Sequence, residues 1–295
     1  AYVQAQYEVD NKYRLRMAYH TGHTVDALYA EETPSTKFIR ELSIYYHFNK
    51  KWAIEAGIFP SYFGAELVLS KENLHATRAY IADFSPDYEA GVRLYYKHNK
   101  YNNFSAMVLN GWQVMRESNG TKPLALGWHI NNPGKIVGDW LMFFGNEQTY
   151  NVDYRLFRHY QNIYYRIWLN KKIIILPVID FIIERKPPTA ETAGWNKVFA
   201  PAFSVRYAIN QKFGVAARWD HVNDKANIIP ELYTGKPSGW QSNSGTLTLE
   251  YLPMPQLTIR LEGRYGVNKE AVFRNSFNDP TKVDWYGIMN MAFSF

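Results

Sequence analysis

Arginine and carboxylate side chains recur at every second position in several short stretches of the sequence. In residues 257–265, Arg260, Glu262 and Arg264 alternate with apolar residues, and Arg14 and Arg16 do so in residues 13–20. Because successive side chains of an extended chain point to opposite faces, these charges share one face. The same period puts eight arginines on that face: Arg14, Arg16, Arg93, Arg166, Arg206, Arg218, Arg260 and Arg264. Six acids join them: Glu41, Glu55, Glu89, Asp220, Glu250 and Glu262.

Such a charged face allows two kinds of chemistry. The planar donor fork of arginine suits pairing with carboxylates, so the charges could form a ladder of ion pairs that braces a wall. Arginines without a partner could instead attract anions and repel cations in a narrow passage. The ladder is the favoured interpretation for most of these residues, and ion preference stays open for a minority.

Residue types used in catalysis are present, but they form no recognisable motif. The 8 histidines are scattered, and the sequence contains neither Gly-x-Ser-x-Gly nor His-Glu-x-x-His. The cysteine count of 0 excludes a disulfide scaffold, a thiolate metal site and a cysteine nucleophile. We expect no catalytic residue, no cofactor and no metal, although the spacing of acids in the loops leaves a calcium site open.

The composition combines many aromatic residues with a polar background. Aromatics make up 17% of the 295 residues, yet the mean hydropathy is −0.38. The longest apolar run, Ile173–Ile183, contains Pro177 and Asp180 and is shorter than the ~20 residues of a membrane helix. A lipid-facing wall with aromatic belts and a wet interior has this composition.

Short alternating runs, separated by gaps that are alternately short and long, predict an all-β transmembrane antiparallel up-and-down β-barrel. Residues 1–295 are expected to form this single domain, with short periplasmic turns and long extracellular loops. The predicted strands are Tyr2–Val9, Tyr13–His20, Phe38–Phe48, Trp52–Phe59, Tyr88–Lys97, Asn103–Trp112, Leu124–Ile130, Ile136–Phe144, Gln161–Leu169, Ile173–Ile183, Phe199–Ile209, Phe213–Asp220, Thr246–Leu252, Leu257–Tyr265 and Trp285–Phe295.

The last of these runs has the character of a closing strand. One parity carries the apolar residues expected to face lipid: Trp285, Met289, Met291, Phe293 and Phe295. The alternative is a hydrophobic edge strand of a soluble sandwich. About fifteen strands are visible, whereas bacterial barrels have an even number, so we expect one further strand before Ala1 and about sixteen in all.

The segment Pro60–Asp87 is the candidate functional element, because loops longer than ~12–15 residues are usually functional or disordered. Its apolar residues argue against a loop that dangles in water. Residues 70–82 could form a short helix capped by Ser70. We expect this loop to fold into the lumen as a constriction that presents Glu72, Arg78 and Asp83; the alternative is a lid over the rim.

The middle of the chain resembles a known family. The residues that carry the resemblance are Ala56-Gly57-Ile58-Phe59-Pro60-Ser61-Tyr62-Phe63-Gly64-Ala65-Glu66, Lys71-Glu72-Asn73, Thr77-Arg78-Ala79, Phe84-Ser85-Pro86, Tyr88-Glu89-Ala90-Gly91-Val92-Arg93, Leu109-Asn110-Gly111-Trp112-Gln113 and Phe144-Gly145-Asn146-Glu147. Together they resemble the OmpL-like outer-membrane porins (β-barrel porin-2). Two positions depart from the pattern, since Glu72 stands where Asp is expected and Ala79 where Ser is. The resemblance implies a porin-like barrel in a bacterial outer membrane and no particular substrate.

Three functions are weighed on this basis. The first is a porin-like channel for passive diffusion of small hydrophilic solutes, with a weak anion bias. The second is a loop-plugged barrel that serves as a scaffold or partner-binding component of an outer-membrane complex, and the third is an outer-membrane hydrolase. The expected partners are outer-membrane lipid, with lipopolysaccharide in the outer leaflet, and other outer-membrane proteins. A net charge of +6 without a basic run gives no reason to expect nucleic acid.

The first prediction is a weak preference for anions. Arginine exceeds carboxylate on the charged face by about two, and salt with a Debye length of ~10 Å at 0.1 M would screen this excess in a wide pore. Replacing Arg260 and Arg264 by Gln should move the reversal potential in a salt gradient toward cations. A wild-type channel that already prefers cations would show that loop acids govern the field.

Overall fold

The computed structural model describes residues 2–30, 32–67, 69–117, 119–147, 155–188, 190, 193–229 and 238–294. Within these residues one sheet contains fifteen strands, each antiparallel to its neighbours in the chain. Its strands are β1 (Tyr2–Val9), β2 (Tyr13–His20), β3 (Ile39–His47), β4 (Trp52–Pro60), β5 (Tyr88–Lys97), β6 (Asn102–Leu109), β7 (Leu124–Asn132), β8 (Ile136–Asn146), β9 (Phe157–Trp168), β10 (Ile173–Arg185), β11 (Trp195–Ala208), β12 (Phe213–Asp224), β13 (Trp240–Met254), β14 (Leu257–Asn268) and β17 (Val283–Phe293). A small hairpin, β15 (Phe273–Arg274) and β16 (Pro280–Thr281), lies in the connection before β17. The predicted all-β, up-and-down order is confirmed.

The sheet has two edges, β1 and β17, which are not hydrogen-bonded to each other in the described parts of the chain. The expectation of a sixteenth strand therefore stays a prediction. Several strands in the second half are longer than predicted, and β13 runs over 15 residues instead of the seven of Thr246–Leu252. Polar residues at the ends of these strands continue the backbone ladder beyond the apolar stripe from which the strands were predicted.

The two faces of the sheet differ in a way opposite to a soluble protein. In β14, Leu261 and Tyr265 are 59% and 57% exposed, whereas Arg260 and Glu262, on the alternate positions, are 2% and 1% exposed. We call the exposed apolar side the outer face and the side that buries the charges the inner face. An arginine on the lipid side at mid-membrane would cost ~2–4 kcal/mol, which explains the strict alternation.

The last strand follows the same rule. Trp285, Met289, Met291 and Phe293 are 62–75% exposed on the outer face of β17. Phe295 lies outside the described residues. Asn290, on the opposite parity, is half-buried and faces the loop that precedes β5.

The short turns share a local device based on asparagine. The side-chain oxygen of Asn49 accepts the backbone N–H groups of Lys51 (2.8 Å) and Trp52 (3.0 Å). Asn99, Asn170 and Asn210 do the same in three further turns. Asparagine thus closes turns at one end of the sheet, and all the long connections lie at the other end.

In the described ranges, helical structure occurs in the long connections and not between the short-turn strand pairs. Helix α1 (His23–Leu28) lies between β2 and β3, where no helix was predicted, and two 3₁₀ turns (Ser70–Glu72 and Ile81–Phe84) lie between β4 and β5. No helix in the described ranges is both long and apolar enough to cross a membrane. An apolar cluster on the inner face, near the long connections, includes Phe63 of the β4–β5 connection.

Gly57 allows β3, β4 and β5 to approach closely. Its φ is +127°, and an added Cβ would lie 2.2 Å from the backbone oxygen of Leu42. It pairs with Ser43 on one side and Gly91 on the other, so the backbone cannot shift without breaking two ladders.

We therefore expect Gly57→Ala to lower the free energy of unfolding by about 1–3 kcal/mol, because both strain and overlap oppose the methyl group. The measurement is the urea midpoint of the refolded protein in detergent. Gly263→Ala is the matched control, since nothing lies within 4 Å of its added Cβ. Equal midpoints for the two variants would contradict the argument.

Candidate constriction site

The connection between β4 and β5, residues 61–87, packs against the inner face of the sheet. Its backbone makes polar contacts with side chains of strands that lie far from it in the sequence. The Gly64 N–H donates to Asn162 of β9 (3.0 Å), and the Tyr80 N–H donates to Asp220 of β12 (3.3 Å). We call residues 61–87 the inner loop.

Arg260 of β14 holds the middle of the inner loop. Its guanidinium donates to the carbonyl oxygens of Ser70 (2.6 Å) and Asn73 (2.8 Å). The same group is 3.1 Å from a carboxylate oxygen of Glu250. Arg260 is 2% exposed, so one buried cation serves both a carboxylate and the loop backbone.

Arg218 of β12 holds the next part of the loop. It lies 2.8 Å from Glu66, a loop residue, and donates to the carbonyl oxygens of Thr77 (2.8 Å) and Arg78 (3.0 Å). Arg264 of β14 donates to the Arg78 carbonyl as well (3.0 Å).

Arg264 also connects the loop to the wall through other groups. Its guanidinium is 3.0 Å from Asp220 and lies 3.7 Å from the centre of the Tyr80 ring. The Tyr80 hydroxyl in turn donates to Asp284 of β17 (2.9 Å). The loop therefore spans the inner face from β9 to β17.

Glu262 of β14 supplies the complementary acceptor. It accepts the N–H groups of Ala76 (2.7 Å) and Thr77 (3.0 Å), and the hydroxyl of Thr248 (2.6 Å). Between the flanking arginines, this carboxylate satisfies backbone donors that the loop cannot pair internally.

The farthest part of the loop reaches the short-turn end of the sheet. The Ser70 hydroxyl lies 3.3 Å from Asn290 of β17, and the Lys71 ammonium contacts Ser294 and the carbonyl of Gln256 (3.4 Å). On the other side, Arg166 of β9 donates to the Glu72 carbonyl (2.8 Å). The loop thus follows most of the height of the wall.

These contacts explain why the predicted helix over residues 70–82 is wrong. The carbonyls of Ser70 and Asn73 bind Arg260, and the N–H groups of Ala76 and Thr77 bind Glu262. A continuous helix would need these groups for its own ladder. Only the two 3₁₀ turns form, and the Ser70 side chain caps neither of them.

The three predicted constriction residues have different surroundings. Glu72 and Asp83 are exposed, whereas the Arg78 side chain is only 10% exposed. Arg78 forks between Asp83 (2.8 Å) and Asp87 (2.7 Å), both from the same loop. Arg78 therefore ties the two arms of the loop.

Two of the remaining predicted arginines, Arg93 and Arg206, have close carboxylate partners. Arg93 is 3% exposed, 2.9 Å from Glu55 and stacked on Phe59 at 3.6 Å. Arg206 pairs with Glu250.

Arg14 and Arg16 of β2 are half-buried, and neither makes an ion pair with the inner loop among the described residues. Arg14 lies over the Tyr45 ring at 4.4 Å, and Arg16 is 4.0 Å from Glu41.

A cavity of about 1780 Å³ lies beside the inner loop. Loop residues including Ser70, Asn73 and Thr77 line one side, and residues from the other long connections and from the adjoining strands line the rest. Its charged lining residues are the acids Glu32, Asp83, Glu117, Glu147 and Glu184 and the bases Arg78, Arg116 and Arg158. In the described parts of the chain, no group of three or more histidines and acids is arranged to hold a metal ion.

Sequence reasoning missed several residues that hold the loop. Glu66 receives both Arg218 and the Ala79 N–H (2.6 Å), and Asn73 closes a local turn with Leu67. The only indication in the sequence was that each is a polar residue followed by a leucine in a partly apolar loop. That signal identifies a buried polar residue without identifying its partner.

His75 is buried beside Thr248, with 2.8 Å between its Nδ1 and the hydroxyl oxygen. Burial lowers the pKa of His75 well below its usual value, and Arg218, Arg260 and Arg264 lower it further. Glu262, 3.8 Å away, is the facing acid. The imidazole is therefore neutral at physiological pH.

An apolar outer face, ion pairs on the inner face and a long loop packed on that face are the features of an outer-membrane porin barrel. The outer-membrane channel DcaP of Acinetobacter baumannii has a similar fold, with a TM-score of 0.65 at 10% identity over 99% of this chain and 83% of that one. An anion-selective porin from Comamonas acidovorans gives 0.60 at 7% over 99% and 84%, and OmpT of Vibrio cholerae gives 0.61 at 12% over 99% and 88%. At these identities the likeness shows the fold alone.

The amino-acid sequence identifies the family to which the chain belongs. The family described as "Putative beta-barrel porin-2, OmpL-like" matches residues 1–295, and the chain belongs to it. A search of curated proteins finds no match. The predicted family resemblance and outer-membrane location are confirmed, and the family and fold are those of a channel rather than an enzyme.

Because the pKa of His75 is lower in the folded than in the unfolded protein, its neutral form stabilises the fold above the unfolded value of about 6.5, and this contribution is lost as the pH falls below it. Between pH 7.5 and 5.0 we expect the wild type to lose about 2 kcal/mol more unfolding free energy than His75→Gln. Urea titrations of both proteins at the two pH values provide the measurement. Parallel pH dependence would show that His75 does not titrate on unfolding.

Proposed function

We propose that this protein is a channel for passive diffusion of small hydrophilic solutes, narrowed by the inner loop and weakly selective for anions. The observation that carries the proposal is the inner loop itself, fixed across the inner face by Arg218, Arg260 and Arg264. A loop held at so many points would narrow the passage, and the cavity beside it leaves room for solutes.

The size of that cavity supports diffusion of small molecules. Its volume of about 1780 Å³ exceeds the ~300–1,000 Å³ of pockets that enclose a drug-sized ligand. The polar groups of Ser70, Asn73 and Thr77 line it, and these suit hydrated solutes. Charged side chains of both signs stand around it, which suits neutral polar solutes as well as ions.

The proposed anion preference is weak because most wall arginines are neutralised. Arg218, Arg260 and Arg264 each lie within 3.3 Å of a carboxylate. Arg14 makes no ion pair among the described residues and Arg16 makes only the long one with Glu41 (4.0 Å), so these two half-buried arginines are the better source of a positive field.

This difference sharpens the reversal-potential experiment. Replacing Arg260 and Arg264 removes charge and also frees the inner loop. Arg14→Gln with Arg16→Gln removes charge from two arginines that make no ion pair with the loop among the described residues. The second pair of substitutions is therefore the matched comparison. The porin of similar fold from Comamonas acidovorans is described as anion-selective, and this description is a reason to measure the ion preference of the present protein.

A second candidate function is a scaffold plugged by its own loop, and the density of bonds to the loop favours it. Purified protein in a planar bilayer separates the two functions. Steady current is expected for the channel, and silence across a range of voltages and salt concentrations would support the plugged scaffold.

If the inner loop is the constriction, deletion of Leu67–Ala82 should raise the single-channel conductance, because it removes the obstruction and leaves the strands intact. A deletion of the same kind in the exposed tip between β15 and β16, where Phe277 is 84% exposed, is the control and should leave conductance unchanged. Both variants are first checked for folding by heat-modifiable gel mobility. Unchanged conductance in the loop deletion would exclude the inner loop from the mechanism.

A further inference from the structure

The outer face of β10–β14 carries cations at its long-connection end. Arg185 is the last residue of β10, Lys197 lies in β11, and Lys225 and Lys269 directly follow β12 and β14. All four are exposed. None of them has a carboxylate partner among the described residues.

Three of these cations stand at the border of the apolar wall. On β10, Arg185 is the first polar outer position after Ile179, Phe181 and Ile183. On β11, Lys197 lies on the outer parity between Trp195 and Phe199. On β14, Lys269 comes directly after Tyr265 and Val267 on the outer parity.

The strand register brings the cations near one another. Lys197 pairs with Ile183, two residues from Arg185. The register that pairs Phe199 with Asn223 continues to place Lys197 opposite position 225. Arg185, Lys197 and Lys225 therefore lie on adjacent strands, which are ~4.8 Å apart. Lys269 lies across the intervening strand β13, where its N–H donates to the carbonyl oxygen of Gln241, and continues the row of cations along the rim.

No carboxylate lies on the described outer face of the strands β10–β14, and Glu270, which directly follows Lys269, is half-buried and accepts the Ser238 hydroxyl. The acids of β10–β14 all lie on the inner face and are at most 8% exposed: Asp180, Glu184, Asp220, Asp224, Glu250 and Glu262. The described outer face of these five strands therefore has cations above an apolar wall and no acid. Trp195 (47% exposed) lies directly across the strand pair from Arg185, as expected of an aromatic residue at the lipid interface.

We propose that Arg185, Lys197, Lys225 and Lys269 form a docking surface for the phosphorylated headgroup of lipopolysaccharide. The long connections of a porin barrel face outward, so this rim lies in the leaflet that contains lipopolysaccharide. Clustered cations at a membrane surface bind anionic lipid headgroups, and the apolar strands below take the acyl chains. Charge complementarity thus selects the lipid, and the apolar wall excludes a soluble anion as the principal occupant.

The test uses the full-length protein in detergent, at 0.15 M salt, titrated with fluorescently labelled lipopolysaccharide and read by anisotropy. The variant R185Q/K197Q/K225Q/K269Q should bind about tenfold more weakly than the wild type or worse. Lipopolysaccharide stripped of its phosphates should bind wild type and variant alike. Inorganic phosphate at millimolar concentration should compete poorly.

The matched control removes the same charge from the opposite end. K50Q/K51Q/K171Q/K212Q alters four exposed lysines in the short turns and should bind like the wild type. Both variants must keep heat-modifiable mobility, which reports a folded barrel. Equal weakening by the two sets of substitutions, or wild-type affinity in the rim variant, would overturn the proposal.

Discussion

The structure depends on arginines that are buried on the inner face of the sheet and are shared between wall carboxylates and loop carbonyls. Arg260 serves Glu250 and the backbone of the inner loop, and Arg264 serves Asp220 and the same loop. A loop without regular secondary structure leaves many backbone groups unpaired, and each buried one is costly. Arginine supplies several donors from one side chain, so a few residues can hold a long loop.

This arrangement assigns the charges of the wall to two tasks. Where the inner loop covers the wall, cations and carboxylates neutralise one another and fix its position. Arg14 and Arg16 make no ion pair with the loop among the described residues; their guanidinium groups are half-buried, and Arg16 has only the long contact with Glu41 (4.0 Å). Any field that acts on a passing ion therefore comes from the uncovered part of the inner face and from the charged rim of the cavity.

The two ends of the sheet also differ in chemistry. At one end, asparagine side chains close tight turns, with lysines exposed to water. At the other, the long connections surround the cavity, and on the outer face of β10–β14 the wall is bordered by cations. All acids of these five strands face inward, where arginines pair with Glu184, Asp220 and Glu250.

The sequence by itself determined the strands, the face on which each residue lies and the presence of a long, partly apolar connection at residues 60–87. A two-residue period with charges on one parity has few solutions when the other parity must face lipid. It could not determine depth or partners, because the period repeats along every strand. The Tyr80–Asp284 bond joins residues 204 positions apart, and the Ser70–Asn290 contact joins residues 220 apart. Only the tertiary structure decided that residues 70–82 give their backbone groups to Arg260 and Glu262 instead of to a helix, since those partners come from a strand nearly two hundred residues away.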